Sequence, residues 1–231
     1  MEKSKFDGFI NRYNLGGSVE SVMLTSDGTT LSVRLITDDK TLLGEVKVSD
    51  DSFPTGEFGI YTTSQLKSLL SVLDSSIDVE EVTGALKFSD KGTKVQYMLA
   101  AQSVIPSVPD LKQLPDFNIE LTLSDEFINK FIKSKSALAD SDTFTFVVED
   151  DKPQIVLGYS SINTNRISME VDAKVEGDIN PISFSSEYFK SILLANKGSN
   201  KSSMKIASDG LAHISFDDGD YLSEYYLVEV K

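Results

Sequence analysis

Residues 182–230 read ISFSSEYFKSILLANKGSNKSSMKIASDGLAHISFDDGDYLSEYYLVEV, and the order of patterns in this stretch decides the fold. Residues 182–185 form a short apolar run that predicts a strand. From Ser186, the apolar residues Tyr188, Phe189, Ile192 and Leu193 recur at helical spacing. Glu187 stands in the first turn and Gly198 follows the last, which predicts a helix over 186–197. Three strands are then predicted at 203–207, 211–217 and 222–230. The pairs Asp209-Gly210 and Asp218-Gly219 between them suit tight hairpin turns.

The same order recurs three times upstream. Residues 117–123 alternate apolar and polar. A helix follows from Ser124, with Phe127, Ile128, Phe131 and Ile132 on one face, and then strands at 143–149, 154–160 and 167–175. Another copy runs from a strand at 57–62 through a helix at 64–74, with Leu66, Leu69, Leu70 and Leu73 on one side. Its strands follow at 77–82, 85–89 and 94–100. The first copy has a helix near 4–14, with Phe6, Phe9, Ile10 and Tyr13, and strands at 19–25, 30–37 and 42–49. Its leading strand is almost absent. Testing for internal repeats first matters because a missed repeat misassigns the whole fold.

Four strand–helix–three-strand units make an α+β protein. The segment 102–116, punctuated by Pro106, Pro109 and Pro115, is the best boundary. It divides the chain into an N-terminal domain at 1–101 and a C-terminal domain at 117–231, with two repeats each.

Composition narrows the function. The chain has 231 residues, no Cys, one His and a net charge of −14. Cys-ligated metal and thiol chemistry are excluded, and a lone His213 leaves no His cluster and makes a Ser-His-Asp machine a poor fit. No apolar run approaches the roughly 18–20 residues of a membrane span, and residues 1–7 carry no apolar signal core. A cytoplasmic location without membrane attachment fits. The acidic total argues against a protein that coats nucleic acid with its whole surface.

The repeat order and lengths, together with Tyr225-Tyr226-Leu227 near the C-terminus, resemble the DNA polymerase sliding clamps. The likeness is to the two-domain kind of proliferating cell nuclear antigen and the T-even-type bacteriophage clamps, and it covers essentially the whole chain. It implies a DNA clamp fold of four βαβββ repeats in two pseudo-equivalent domains, assembled as a homotrimeric ring. It implies a non-enzymatic processivity factor without cofactor, whose helices face sequence-nonspecific duplex DNA. Its implied partners are a DNA polymerase and an ATP-dependent clamp loader. The missing Pro after the tail motif and the short leading strand point to a viral, bacteriophage member working in its host's cytoplasm. An alternative is a structural or scaffold protein built from repeated α+β units.

The charge distribution bears on this. The helix windows 4–14, 64–74, 125–139 and 186–197 hold Lys5, Arg12, Lys67, Lys130, Lys133, Lys135, Lys190 and Lys197. Against these eight stand five acids, a net of +3, so the other residues carry −17. At about 100° per residue, Lys130 and Lys133 lie opposite the apolar face of their helix, and the other helices show a similar division. Lysines on a polar helix face are also what any surface helix carries. With the repeat, these eight residues are expected to face DNA.

The boundary segment is unusually apolar for a linker, with Val104, Ile105, Val108, Leu111 and Leu114. These residues dock it on its own domain, or some of them also wall a groove. By the resemblance, Val104 and Ile105 are expected to line a partner-peptide pocket with Ile36, Leu42, Leu211 and Tyr226. The acid pairs Asp38-Asp39, Asp50-Asp51, Asp150-Asp151 and Asp217-Asp218 read as turn residues rather than metal ligands. His213 reads as an ordinary strand histidine, and the Gly16-Gly17 pair reads as a helix end.

Overall fold

The computed structural model describes every residue except Lys112, Asn163 and Lys231. It divides into two compact units. One comprises Met1–Pro109 with Gly219–Ser223, and the other Asp110–Asp218 with Glu224–Lys231.

The first unit runs α1 (Lys3–Asn14), β1 (Val22–Ser26), β2 (Thr30–Ile36), β3 (Leu42–Ser49), β4 (Gly56–Ile60), α2 (Thr63–Leu70), β5 (Asp78–Val82), β6 (Ala85–Ser89) and β7 (Lys94–Met98). Its strands form two antiparallel sheets, ordered β3-β2-β1-β4 and β5-β6-β7. The leading strand of the second repeat, β4, therefore pairs with the first repeat. The reverse exchange exists in miniature. The Met1 amino group donates to the Ile77 carbonyl, Ile77 N–H donates back to Met1, and Glu2 forms a single bridge with Ser76. A one-bridge strand is too short to carry an alternating pattern in sequence.

The second unit runs β8 (Ile119–Thr122), α3 (Asp125–Ala137), β9 (Thr143–Glu149), β10 (Lys152–Leu157), β11 (Ile167–Glu170), β12 (Ala173–Val175), β13 (Ile182–Ser185), α4 (Ser186–Ala195), β14 (Lys201–Ala207), β15 (Leu211–Asp217) and β16 (Tyr221–Val228), the last belonging here from Glu224 onward. Its sheets are β12-β8-β14-β15, continued by β16, and β11-β10-β9-β13. Here too each repeat lends its leading strand to the other, β8 to β14 and β13 to β9.

The strand expected at 167–175 is two strands. Residues 167–170 pair with β10, Val171 N–H donates to Pro153, and residues 173–175 pair with β8. The first unit does the same beyond β7, where Leu99 N–H reaches Gly84 and Ala100 N–H reaches Gly59 in β4. One chain thus stitches both sheets of its unit together. The helix expected at 64–74 stops at Leu70. Ser68 and Ser71 hydroxyls donate to the carbonyls of Ser64 and Ser68, and the chain tightens into short turns through Leu73. Hydroxyl back-bonding of this kind weakens a helix interior.

Helices cover the sheets through aromatic cores. Phe6, Phe9, Phe53, Phe58 and Phe88 are buried in the first unit, with Phe6 ring centroids 5.6 Å from Phe53 and 5.7 Å from Phe88. In the second unit Phe131 lies 4.7 Å from Phe189 and 5.6 Å from Phe144. Caps fix where three of the helices start. Ser124 and Ser185 hydroxyls accept the Phe127 and Tyr188 N–H groups. Thr62 makes no such bond, and Glu20 takes its place by accepting the Ser64 N–H at 2.8 Å while Asn14 holds its other oxygen.

The β9–β10 hairpin closes through two residues, Asp150 and Asp151, both at positive φ (51° and 60°), between the paired Glu149 and Lys152. Side-chain residues resist this mirror-image turn. Asp151→Gly is expected to raise stability by about 0.5 kcal/mol, read as a higher urea midpoint with an unchanged slope.

Candidate nucleic-acid interface and peptide groove

In each unit the two helices lie side by side, and their outward faces carry the basic residues. On the first unit, Lys67 Nζ donates to Asn11 Oδ1 at 2.9 Å, joining α2 to α1. Lys5 lies 3.7 Å from Asp220. The Arg12 guanidinium sits 3.7 Å above the Tyr221 ring and donates to the Gly8 carbonyl at 3.1 Å. Tyr221 is itself fixed by its hydroxyl, which donates to the Lys5 carbonyl at 2.8 Å. On the second unit, Lys130, Lys133 and Lys197 are exposed and Lys190 half-exposed. Among the described residues these four form no ion pair.

The groove lies wholly within the first unit. Residues 102–109 run over the outward face of its larger sheet, and Arg34 Nη2 donates to the Pro109 carbonyl at 2.5 Å. Beneath them is a cavity of about 440 Å³ lined by Met23, Ser32, Arg34, Glu45, Ile105 and Val108, among others. Met23, Arg34 and Glu45 form one row across β1, β2 and β3, being register partners in turn. A groove of mixed character results, with apolar walls from Met23, Ile105 and Val108 and opposite charges side by side on its floor. It suits an extended segment carrying small apolar side chains.

No protein-family model and no curated protein sequence matches the chain. Solved structures do. The proliferating cellular nuclear antigen of Entamoeba histolytica superposes with a TM-score of 0.75 over 100% of this chain and 96% of its own, at 14% identity. The PCNA2–PCNA3 complex of Sulfolobus tokodaii gives 0.75 over 99% and 97%, also at 14% identity. The DNA polymerase III beta chain of Streptococcus pneumoniae gives 0.74 at 15% identity, this whole chain spanning 64% of that one. The chain has the sliding-clamp fold.

Within that fold, two residues expected at functional surfaces lie elsewhere. Lys135 is buried, its side chain 7% exposed, with Nζ donating to the Ala139 carbonyl at 2.6 Å and 3.5 Å from Glu187. Its place explains this. Lys135 is four residues beyond Phe131 and seven beyond Ile128, in the middle of the apolar arc of α3, so it snorkels to a carbonyl and a carboxylate. Leu42 is fully buried on the core side of β3. The outward residue is its neighbour Leu43, half-buried and paired in register with Ile36. The correction is one residue of strand parity.

The other groove residues divide. Ile105 lines the cavity, whereas Val104 is 53% exposed and does not. In the second unit, Leu211 is half-buried at the start of β15. Tyr226 is half-buried and stacks on His213 with centroids 4.7 Å apart and planes 9° apart. His213 is thus a packed strand residue between Tyr226 and Phe117, with Nε2 3.4 Å from Glu224. The clamp fold also uses residues that the sequence reading passed over. Arg34 fastens the connector, and Glu20 caps α2 across 44 residues.

Three of the four acid pairs behave as turn residues, while Asp217 closes β15 opposite Lys201. Asp39 accepts from Thr37 and Thr41, and Asp50 accepts twice from Ser52. Asp27 and Asp90 hold the equivalent β1–β2 and β6–β7 turns. Backbone N–H donors, Thr29 first for Asp27 and Gly92 first for Asp90, keep both carboxyls below the usual carboxylate range. Among the described residues no three His, Asp or Glu side chains converge as metal ligands, and no helix is long and apolar enough to cross a membrane.

Proposed function

We propose that this chain is a sliding clamp, a non-enzymatic processivity factor that encircles duplex DNA and tethers a DNA polymerase. The observation that carries the reading is the match of the entire chain to proliferating-cell-nuclear-antigen structures, of whose own length it spans 96% and 97%. The exposed basic helix faces support it independently, since a few lysines attract phosphates without reading bases and release them readily. Three copies close a ring. The acidic remainder of the surface keeps DNA from adhering outside it. An ATP-driven loader opens the ring, and partner peptides dock in the groove beside the connector, where Ile105 contributes a wall. The Tyr225-Tyr226-Leu227 motif, followed by Val228-Glu229-Val230 without the Pro of the cellular clamps, supports a bacteriophage member acting in its host's cytoplasm.

The test is topological. Protein incubated with nicked circular plasmid, an ATP-dependent clamp loader and ATP, then cross-linked between subunits, is passed over a sizing column in high salt. Retention on the circle and loss after linearisation are expected, with a native mass close to three times 25.4 kDa for the protein alone. A strict monomer, or equal loss from both DNA forms, overturns the reading.

A further inference from the structure

We propose that DNA is held chiefly by the second unit, on a seat formed by Lys130, Lys133, Lys190, Leu194 and Lys197, while the cations of the first unit contribute little. This rests on the clamp reading above. Net charge alone would favour the first unit, with +3 on α1 and α2 against +1 on α3 and α4. What decides between the two helix faces is how far each cation is already engaged.

On the first unit every helix cation has a partner. Lys3 pairs with Asp7 at 2.9 Å, Lys5 with Asp220, Arg12 with the Tyr221 ring and Gly8 carbonyl, and Lys67 with Asn11. The exposed residues around them, Asn11, Ser64, Gln65 and Ser68, are neutral. A phosphate must displace a ring, a carboxylate or an amide to reach these cations, so each contact yields less.

The second unit has the opposite arrangement. Buried Lys135 occupies Glu187, the one acid of α4. Lys130, Lys133, Lys190 and Lys197 extend into solvent without ion pairs among the described residues. Asp125 and Glu126 stand in the first turn of α3, where they complement the helix dipole; Glu126 is four residues before Lys130 on the same face, yet the two form no ion pair among the described residues. Each free lysine can neutralise a phosphate and release a counterion directly.

Leu194 points to the same ligand from a different property. It is 50% exposed and four residues after Lys190 on one stripe of α4, and Lys197 follows in the turn just past the helix end. An exposed leucine between two free lysines matches a sugar–phosphate backbone, in which apolar deoxyribose faces alternate with charges. The contact is sequence-independent and insensitive to salt, unlike those of its neighbours.

Fluorescence anisotropy of a labelled duplex of random sequence, measured across a KCl series, separates these contributions. The variant Lys130→Gln/Lys133→Gln/Lys190→Gln/Lys197→Gln is expected to lose about tenfold or more in low-salt affinity. Its log–log salt slope should fall in magnitude by about 3, since each phosphate contact is worth about 0.9. Lys5→Gln/Arg12→Gln/Lys67→Gln should lose less than about threefold, with the slope changed by less than about 1. Leu194→Ser should weaken binding about threefold with no change of slope. Circular dichroism melts confirm that each variant stays folded. Equal losses from the two lysine sets overturn the asymmetry and leave the DNA reading standing. No loss from either set overturns the DNA reading itself, and unchanged affinity in Leu194→Ser overturns the sugar contact.

Discussion

Phe131→Ala is expected to lower the stability of the second unit by about 4 kcal/mol. The ring is fully buried and makes edge-on contacts with Phe144 of β9 and Phe189 of α4, at 5.6 and 4.7 Å, and a tilted contact with Phe127. Three elements therefore meet on one side chain. When it is truncated, none of the three can move in to fill the space without leaving its other partners, so most of the cavity remains. Each lost aromatic pair adds roughly 0.5–1.5 kcal/mol to the area term. Phe127 shares the helix face but is 9% exposed, and Phe127→Ala should cost about half as much because solvent already reaches that edge. Urea unfolding followed by near-ultraviolet circular dichroism provides the measurement. A loss below about 1.5 kcal/mol for Phe131→Ala would show that the second core can collapse, contrary to its packing. The same variant should loosen α3, and with it the placement of Lys130 and Lys133, which flank Phe131 on the opposite side of the helix.

Most of the fold was legible because its information is local. The Asp-Gly pairs mark hairpins, the apolar spacing of Phe127, Ile128 and Phe131 marks a helix, and the same order written four times marks the architecture. What was not legible depends on partners far along the chain. Nothing in residues 167–175 says that their two halves pair with different sheets, because alternation reports which face is buried and not which strand lies alongside. Residues 1–3 are too few to show alternation at all. The candidate site divides in the same way. That Lys130 and Lys133 are exposed could be read from the helical wheel. Lys135 could have been corrected by the same wheel, since it falls in the apolar arc. That Lys5 meets Asp220 and Arg12 meets Tyr221, each more than 200 residues away, could not be read from any local pattern. Leu42 and Leu43 differ only in parity, and two adjacent leucines give no parity signal.

Gly59→Ala is expected to cost about 3 kcal/mol and to loosen the root of the connector, although only one methyl group is added. Gly59 lies in β4 at the point where the chain leaving β7 crosses over. Its carbonyl accepts the Ala100 N–H at 2.9 Å, and a Cβ on Gly59 would overlap the Ala100 carbonyl oxygen and touch Ile105. Neither backbone can rotate out of the way, so the strands must part and the hydrogen bond joining the two sheets at this point is lost. Ile105, which walls the groove, moves with them. The expected signs are a lower urea midpoint and faster proteolysis within residues 102–109. Gly92→Ala serves as the control, because nothing lies within 4 Å of its added carbon. In the second unit the corresponding crossing is β12 on β8, and Leu121, like Gly59 three residues before its helix's N-cap, carries a full side chain opposite Ala173. The requirement for glycine at residue 59 is therefore set by the closeness of Ala100 and not by the crossing itself. If alanine at position 59 behaved like alanine at position 92, the connector could not be held to the sheet by this approach, and Arg34 would have to fasten it alone.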